Sequence, residues 1–376
     1  MKYYIIVGEA SGDLHASNLI KELKKEDEKA EIRAWGGDLM REAGAEIVRH
    51  YKDTAIMGVF TVLRKLKTLK GNIDYCCEDI LEWNPDVVIL VDYAGFNLRI
   101  AKYAKSIGLK VFYYISPKLW AWNVKRVKKI KKYVDRMYTI FPFETEFYQR
   151  FNYKVYYGGN PLVDAIDARP YKNETYEEFI HENQLPDKPI IALLAGSRKQ
   201  ELKYVLPVML KMVDKFKDFQ FIIAGAPSMT DEDYRPYVKD MPIRILYGQT
   251  YRLVSQARVA LVTSGTATLE TALLRTPQVV CYSGEAPRLS YMVFKSVVKV
   301  KYISLVNLIF GSEIVKELMM QFLTEQNLEA ELSRLVYSER NREKMLRNYD
   351  EVIARLGKPG ASHRFAKMMV EALQNQ

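Results

Sequence analysis

Residues 190–198 read Ile190-Ile191-Ala192-Leu193-Leu194-Ala195-Gly196-Ser197-Arg198, five apolar residues that run into a turn of small side chains and a fixed cation. A short, unbroken apolar run bounded by glycine is the pattern of a strand covered on both faces in a parallel sheet. Comparable runs follow at 220–224, 243–247, 259–263 and 278–282, with stretches between them long enough for a helix. Strands alternating with helices imply βαβ units and an open, doubly wound sheet. Toward the N-terminus the alternation is repeated at 3–7, 31–35, 87–91, 110–114, 136–140 and 154–157.

The two series are separated by a charged, aromatic stretch from Arg169 to Lys188 that contains Pro170 and Pro186 and is read as the linker. The expected class is α/β, with two Rossmann-like domains facing a central cleft. The first spans 1–168 and the second 169–345. Residues 346–376 read as helices that cross back, with a helix at 361–376 completing the first domain. A chain of 376 residues exceeds one ordinary core, which independently favours two domains.

The apolar content of 48% and charged content of 27% belong to a folded globular chain and exclude a disordered one. Three cysteines, Cys76, Cys77 and Cys281, form no even framework and no metal or redox spacing, so reduced buried thiols are expected. The apolar run at 3–7 is followed by Gly8-Glu9 without a cleavage signal, and reads as a strand, not a leader. The most apolar long stretch, 291–310, is interrupted by Lys295, Lys299 and Lys301, so no membrane span is expected and the location is cytoplasmic. Lys and Arg outnumber Asp and Glu by 56 to 46, a surplus that suits anionic partners without choosing among them.

Open α/β sheets bind ligands at the C-terminal ends of their strands, so the residues just after each strand carry the functional expectations. Gly196-Ser197-Arg198 suits a diphosphate, since glycine lets the backbone approach, a helix start offers N–H groups and arginine makes paired contacts, or is an ordinary βα turn with a surface arginine; the diphosphate is the favoured reading. Ser264-Gly265-Thr266 opens a second helix in the same way, and Glu270, one turn in, is placed to accept bonds from ribose hydroxyls or to act as a capping carboxylate. In the first domain, 7–13 joins strand and helix without the third glycine of a dinucleotide fingerprint, and presents carboxylates instead. Asp92 follows the strand at 87–91 and is either a general base or a structural carboxylate.

Four histidines, His15, His50, His181 and His363, show no ligand spacing, and Asp231-Glu232-Asp233 reads as a solvated loop, so neither metal nor cofactor is expected. Two basic, amphipathic segments speak to a partner. In 59–70, apolar residues alternate at helical spacing with Arg64, Lys65, Lys67 and Lys70, which fits a lipid interface or a core-facing helix. In 125–136, Lys125, Arg126, Lys128, Lys129, Lys131 and Lys132 lie opposite Val127, Ile130 and Val134. Just before it, Trp120-Ala121-Trp122 follows Ser116-Pro117 and offers more aromatic surface than a turn requires, for a sugar or acyl group or simply to plug the domain.

Taken together, Gly8-Glu9-Ala10-Ser11-Gly12-Asp13, Met57-Gly58, Ser116-Pro117 with Trp120-Ala121-Trp122, Phe141-Pro142-Phe143-Glu144, Gly196-Ser197-Arg198, Ser264-Gly265-Thr266-Ala267 and Val306-Asn307-Leu308 with Glu317 resemble, in content and order, the motifs of the lipid-A-disaccharide synthases. These are inverting glycosyltransferases of the B-type two-Rossmann fold. The resemblance implies transfer of 2,3-diacylglucosamine from its UDP derivative to 2,3-diacylglucosamine 1-phosphate, forming a β-1,6 linkage and UDP at the cytoplasmic face of the inner membrane. It assigns UDP to Gly196, Ser197, Arg198, Ser264, Gly265, Thr266, Glu270 and Asn307, and the acyl-sugar acceptor to Ser11, Asp13, Met57, Phe60, Asn97, Ser116, Trp120, Trp122 and Arg126. Arg198 stabilises the leaving group and Asp92 or Glu9 acts as base.

The chain departs from the family's pattern in places. Ala195 and Ala94 stand where a Pro is usual, Asn160 where a His is usual, and Gly95 where some members carry a second carboxylate. A UDP-sugar 2-epimerase on the same scaffold is the alternative enzyme. A basic nucleic-acid-binding protein is the alternative outside enzymes, and the two anion-suited strand ends argue against it.

Overall fold

The computed structural model describes residues 1–54, 62–239, 241–288, 290–292, 298 and 300–375, with the side chains of 54, 62–67 and Trp122 outside that description. The chain forms two compact units, residues 1–164 with 358–376, and residues 165–357.

The first unit is built on seven strands: β1 Lys2–Ile6, β2 Glu31–Gly36, β3 Glu46–His50, β4 Val87–Val91, β5 Lys110–Tyr114, β6 Arg136–Thr139 and β7 Val155–Tyr157. They lie in the order β3-β2-β1-β4-β5-β6-β7 and every pairing is parallel. The connections are α1 Ala10–Glu26, α2 Asp38–Glu42, α3 Tyr51–Thr54, α4 Val62–Trp83, α5 Ala94–Ser106, α6 Leu119–Trp122, α7 Val127–Tyr133 and α8 Pro142–Gln149. All five residues of β4, Val-Val-Ile-Leu-Val, are buried, as a strand with helices on both faces demands. The chain order reverses between β1 and β4, and such a switch point opens a crevice at the strand ends.

Helix α9 Pro161–Asp167 leads out of this unit, and the helix Ala361–Gln374 returns to complete it. Asp164 fixes the return: Oδ1 accepts from the amides of Gly360 (2.7 Å) and Ala361 (3.0 Å), and Oδ2 from that of Ser362 (2.9 Å). One carboxylate therefore satisfies three of the amides a helix start leaves open. Phe365 is fully buried with its ring edge-on to Tyr114 and Tyr138, tying the helix to the faces of β5 and β6.

The second unit is built on β8 Ile190–Leu194, β9 Gln220–Gly225, β10 Arg244–Tyr247, β11 Ala257–Thr263, β12 Gln278–Tyr282 and β13 Lys316–Met319, parallel throughout in the order β10-β9-β8-β11-β12-β13. Its helices include α10 Tyr176–Glu182, α11 Lys199–Leu210, α12 Asp231–Val238, α13 Thr250–Gln256 and α14 Thr266–Leu273. The helix Glu339–Leu356 runs through position 345, where the sequence suggests a boundary, and belongs whole to this unit.

Two strands carry no sequence expectation. β3, Glu-Ile-Val-Arg-His, and β13, Lys-Glu-Leu-Met, both form sheet edges, where a strand needs no continuous apolar run. Of the segment 59–70, residues 59–61 lie outside the described ones; within α4, Leu69 packs against the core cluster of the first unit. On α7, Val127 and Ile130 are buried while Lys128, Lys129, Lys131 and Lys132 are exposed. No helix among the described residues is long and apolar enough to cross a membrane.

Candidate functional site

In the first unit the ends of β1, β4 and β5 are neighbours: Ile6 pairs with Leu90, and Val91 with Tyr114. Their following residues therefore share one edge of the sheet, and these include Glu9, Asp92 and Lys118. The backbone there is unusual. Asp92 and Tyr93 both adopt positive φ, +41° and +44°, and Ile115 across from them has φ +64°. Left-handed backbone is costly for residues with a Cβ, above all a β-branched one, and survives only where surrounding bonds enforce it.

Those bonds are present. The Asp92 amide donates to the Ile115 carbonyl (3.3 Å), and Asn97 Nδ2 donates to the carbonyls of Val91 (3.1 Å) and Asp92 (2.9 Å). The Tyr113 hydroxyl donates to the same Asp92 carbonyl. Gly8 completes the arrangement from β1: a Cβ at position 8 would stand 2.4 Å from the Tyr93 ring, so only glycine lets that ring settle there. Burial pushes the Asp92 carboxyl up to about 6; Lys118 pulls it back and Glu9 adds to the rise. Glu9 itself is exposed, at the residue preceding α1, and accepts a 2.6 Å bond from Ser11 Oγ.

Several expected acceptor residues are buried and bonded within the protein. Asp13 is 3% exposed, and its carboxylate takes the amides of Gly37 (2.8 Å), Leu39 (3.2 Å) and Met40 (3.2 Å), capping α2. Asn97 is wholly buried as the clamp described above. Ser116 is buried and bonds the Tyr148 hydroxyl at 2.8 Å. Trp120 is held inside by its indole N–H on Glu144 (3.2 Å) and by the Phe143 ring at 5.0 Å. Glu144 also takes the amides of Ile140 and Phe141, and burial lifts its carboxyl to about 7. Proximity in sequence to a strand end does not tell a side chain that faces outward from one that ties the turn. Arg126 is partly buried and its charge acts on the Tyr113 hydroxyl. Met57 and Phe60 lie outside the described residues, as does the side chain of Trp122.

In the second unit the two glycine-containing junctions follow neighbouring strands, Leu194 of β8 pairing with Val262 of β11. They differ in what caps them. At α11, Glu201 Oε2 accepts from the amides of Ser197 (2.9 Å) and Arg198 (3.2 Å), so these two amides are already engaged by a carboxylate. Gly196, at φ +106°, lies against that side chain, and a Cβ would stand 2.4 Å from Glu201 Oε2. Arg198 is 79% exposed, with only a 4.0 Å approach to Glu201.

At α14 no capping hydrogen bond from a side chain is found among the described residues. The residue before it, Gly265, has φ +142° and ψ −156°, a conformation open to glycine alone. This helix start keeps its dipole and amides directed outward, as an anion requires. One turn in, Glu270 accepts a 2.9 Å bond from the Tyr251 hydroxyl and is raised by burial. Asn307, expected to touch UDP, is instead fully buried. Its Nδ2 donates to Val315 (2.9 Å) and Glu317 (2.8 Å) and its Oδ1 accepts from Ile314 (2.8 Å) and Val315 (3.0 Å). Glu317 holds the amides of Ile303 and Ser304, both at 3.0 Å, and Ile303 accepts from Ser264 Oγ (3.4 Å). Asn307 and Glu317 thus fix the loop beside Ser264.

Sequence reading passes over Tyr113, Lys118, Glu201 and Tyr251. Glu201 alone carries a local signal, three residues after the first helix-capping position; Tyr113 and Tyr251 reach their partners only through the tertiary fold. Among the described residues no three His, Cys, Asp or Glu side chains gather to hold a metal ion.

The model of the family "Lipid-A-disaccharide synthetase" matches residues 3–370. Curated relatives named lipid-A-disaccharide synthase include one from Geobacter metallireducens, 35% identical over 98% of this chain and 96% of its own length. Another, from Coxiella burnetii, is 34% identical over 97% and 96%. Among solved structures, UDP-GlcNAc 2-epimerase from Neisseria meningitidis bound to UDP-GlcNAc superposes with TM-score 0.68 over 100% of both chains at 14% identity. The Methanocaldococcus jannaschii UDP-GlcNAc 2-epimerase in complex with UDP-GlcNAc and UDP gives 0.67 over 99% and 100%, again at 14%. At that identity the likeness is one of fold and does not favour epimerisation.

Proposed function

The chain belongs to the lipid-A-disaccharide synthase family, glycosyltransferases that join a UDP-sugar to a lipid-linked sugar phosphate, and on that premise we propose how its residues divide the reaction. The donor is UDP-2,3-diacylglucosamine and the acceptor 2,3-diacylglucosamine 1-phosphate. Asp92 takes the proton from the acceptor's 6-hydroxyl as that oxygen attacks the donor's anomeric carbon. The bond from that carbon to the diphosphate breaks, and UDP departs with the electron pair. A single displacement of this kind inverts the anomeric centre and yields the β-1,6 linkage.

The second unit receives the departing charge. The uncapped start of α14 faces the diphosphate, Arg198 swings in as a mobile cation, and Glu270, steadied by Tyr251, takes the ribose hydroxyls. Donors aimed at charge that grows in the transition state lower the barrier more than they tighten substrate binding. Association with the cytoplasmic face of the inner membrane, where such acylated sugars reside, is part of the same reading; the exposed lysines of α7 are suited to anionic headgroups.

The observation that carries the catalytic assignment is Asp92: a carboxylate at the switch-point edge, on enforced left-handed backbone, with its pKa lifted to about 6. That value places it where a general base is both ionised near neutral pH and basic enough to accept a proton. Glu9 is exposed and bonded to Ser11, and among the described residues no comparable set of bonds fixes it. The test is UDP release from the diacylated donor with and without acceptor. Release that requires acceptor and is lost in Asp92→Asn but kept in Glu9→Gln supports the assignment; release indifferent to acceptor overturns the transferase mechanism.

A further inference from the structure

Asp92 does not hold its own conformation. Its carbonyl accepts from two side chains on two different elements, Asn97 on α5 and Tyr113 on β5, and Asn97 also ties the preceding carbonyl of Val91. Both side chains are buried: Asn97 has no exposure and Tyr113 none. Neither can be reached by a sugar, so neither binds substrate. Tyr113 lies in the core cluster with Val88, Leu90 and Leu119, and its ring is fixed by that packing. Asn97 stands one turn into α5 with Val91 and Asp92 carbonyls as its acceptors, so its amide plane is fixed as well.

We propose that Tyr113 and Asn97 are positioning residues for the reaction: together they hold Asp92 on the left-handed backbone that aims its carboxylate at the acceptor hydroxyl. The inference rests on Asp92 being the base. Its physical content is strain. A non-glycine pair at φ +41° and +44° relaxes unless the carbonyl between them is anchored, and a base displaced by about 1 Å loses on the order of a hundredfold in rate. Burial of the Tyr113 hydroxyl keeps it protonated, hence a donor at every working pH.

The charged and titratable groups around Asp92 come from each neighbouring element: Glu9 from the start of α1, Lys118 from the turn after β5, Tyr93 beside it and Tyr113 beneath it. With the anchor removed, the carboxyl turns toward water and its raised pKa falls toward the ordinary range. The acidic limb of the rate profile therefore moves to lower pH, a shift that a change of stability alone does not produce.

The experiment is a double-mutant cycle on the full chain with UDP-diacylglucosamine and the acyl-sugar phosphate. Tyr113→Phe keeps the ring and removes the donor; Asn97→Ser removes the amide and leaves the Tyr113 ring in place, and serves should the first variant fail to fold. Either change is expected to lower kcat by about 10- to 100-fold, leave both KM values within about threefold, and move the acidic limb down from its position near 6. In an Asp92→Asn background the same change is expected to have no further effect on kcat. Equal losses in both backgrounds, or an unshifted acidic limb, overturn the positioning role while leaving Asp92 as base. Full activity in Asp92→Asn itself overturns the base assignment, and this inference with it.

Discussion

Replacing Asp92 by Asn should cost activity and add stability, and the second effect can be worked out. The carboxyl titrates near 6 in the folded chain and near 3.9 in an unfolded one, and each pH unit of difference is worth about 1.4 kcal/mol. Below roughly pH 4 it is protonated in both states and contributes no difference. As pH rises toward 6 the folded state holds a proton that the unfolded state has released, so stability falls; above 6 the loss is complete at about 3 kcal/mol. Asn resembles the protonated acid and escapes this loss. Denaturant unfolding should therefore find the two proteins close at pH 4 and the variant more stable by about 1–3 kcal/mol at pH 8. In the same protein kcat should drop by about 10²- to 10⁴-fold, and kcat/KM of the parent should fall as pH goes below 6. A variant less stable at every pH, with activity retained, would mean that Asp92 is a structural carboxylate and refute the reasoning.

Arg198→Ala should leave stability within about 0.5 kcal/mol, since the side chain is 79% exposed and among the described residues approaches only Glu201, at 4.0 Å, yet lower kcat/KM by about 10²- to 10³-fold, which steady-state kinetics will read. Glu201→Ala should loosen α11 by about 1 kcal/mol and, by freeing the amides of Ser197 and Arg198 and removing the negative charge beside them, tighten UDP binding by about threefold or more in calorimetry; unchanged or weaker binding would mean that Glu201 does not keep the diphosphate off α11. Gly95 and Gly265 both face open space where a side chain would grow, but only Gly265 has a left-handed φ. Gly95→Asp, in the first turn of α5, should raise stability by about 0.5–1 kcal/mol, whereas Gly265→Ala should lower it by about 1–3 kcal/mol and weaken UDP binding, both seen by thermal melting.

What the sequence discloses of this molecule follows the physics of each element. β4 and β8 are buried at every residue and wholly apolar, β5 and β12 are apolar after their first residues, Lys110 and Gln278, and all four occupy the stretches that a run of apolar residues marks. β3 and β13 sit at edges, carry charged residues, and leave no such mark. The site divides in a similar way. Backbone demands are legible: the turn glycines Gly8, Gly196 and Gly265 announce a close ring, a close carboxylate and a glycine-only φ. Side-chain direction is not. Asp13, Asn97, Ser116 and Asn307 are polar residues beside strand ends, and read alike with ligand-binding ones. Only the tertiary fold shows that their partners are buried amides, carbonyls and, for Ser116, a tyrosine hydroxyl.

The same distinction decides how the second unit handles a dianion. Two helix starts on neighbouring strands would make an obvious double cradle, and either would serve if both were open. Glu201 closes one of them: its carboxylate satisfies the α11 amides and contributes a negative charge where phosphate oxygens would need to sit. On the proposed function the diphosphate is left with the start of α14, whose first turn no side chain among the described residues caps and whose Gly265 would let it come close to the backbone. From α11 it would take the guanidinium of Arg198, which among the described residues is approached only by Glu201, at 4.0 Å. A rigid dipole and a mobile cation suit different stages: the dipole can hold UDP throughout, while the arginine can follow charge onto the leaving oxygen and then release it. On that reading Glu201 has a use beyond capping, because it would keep α11 from gripping a product that has to depart.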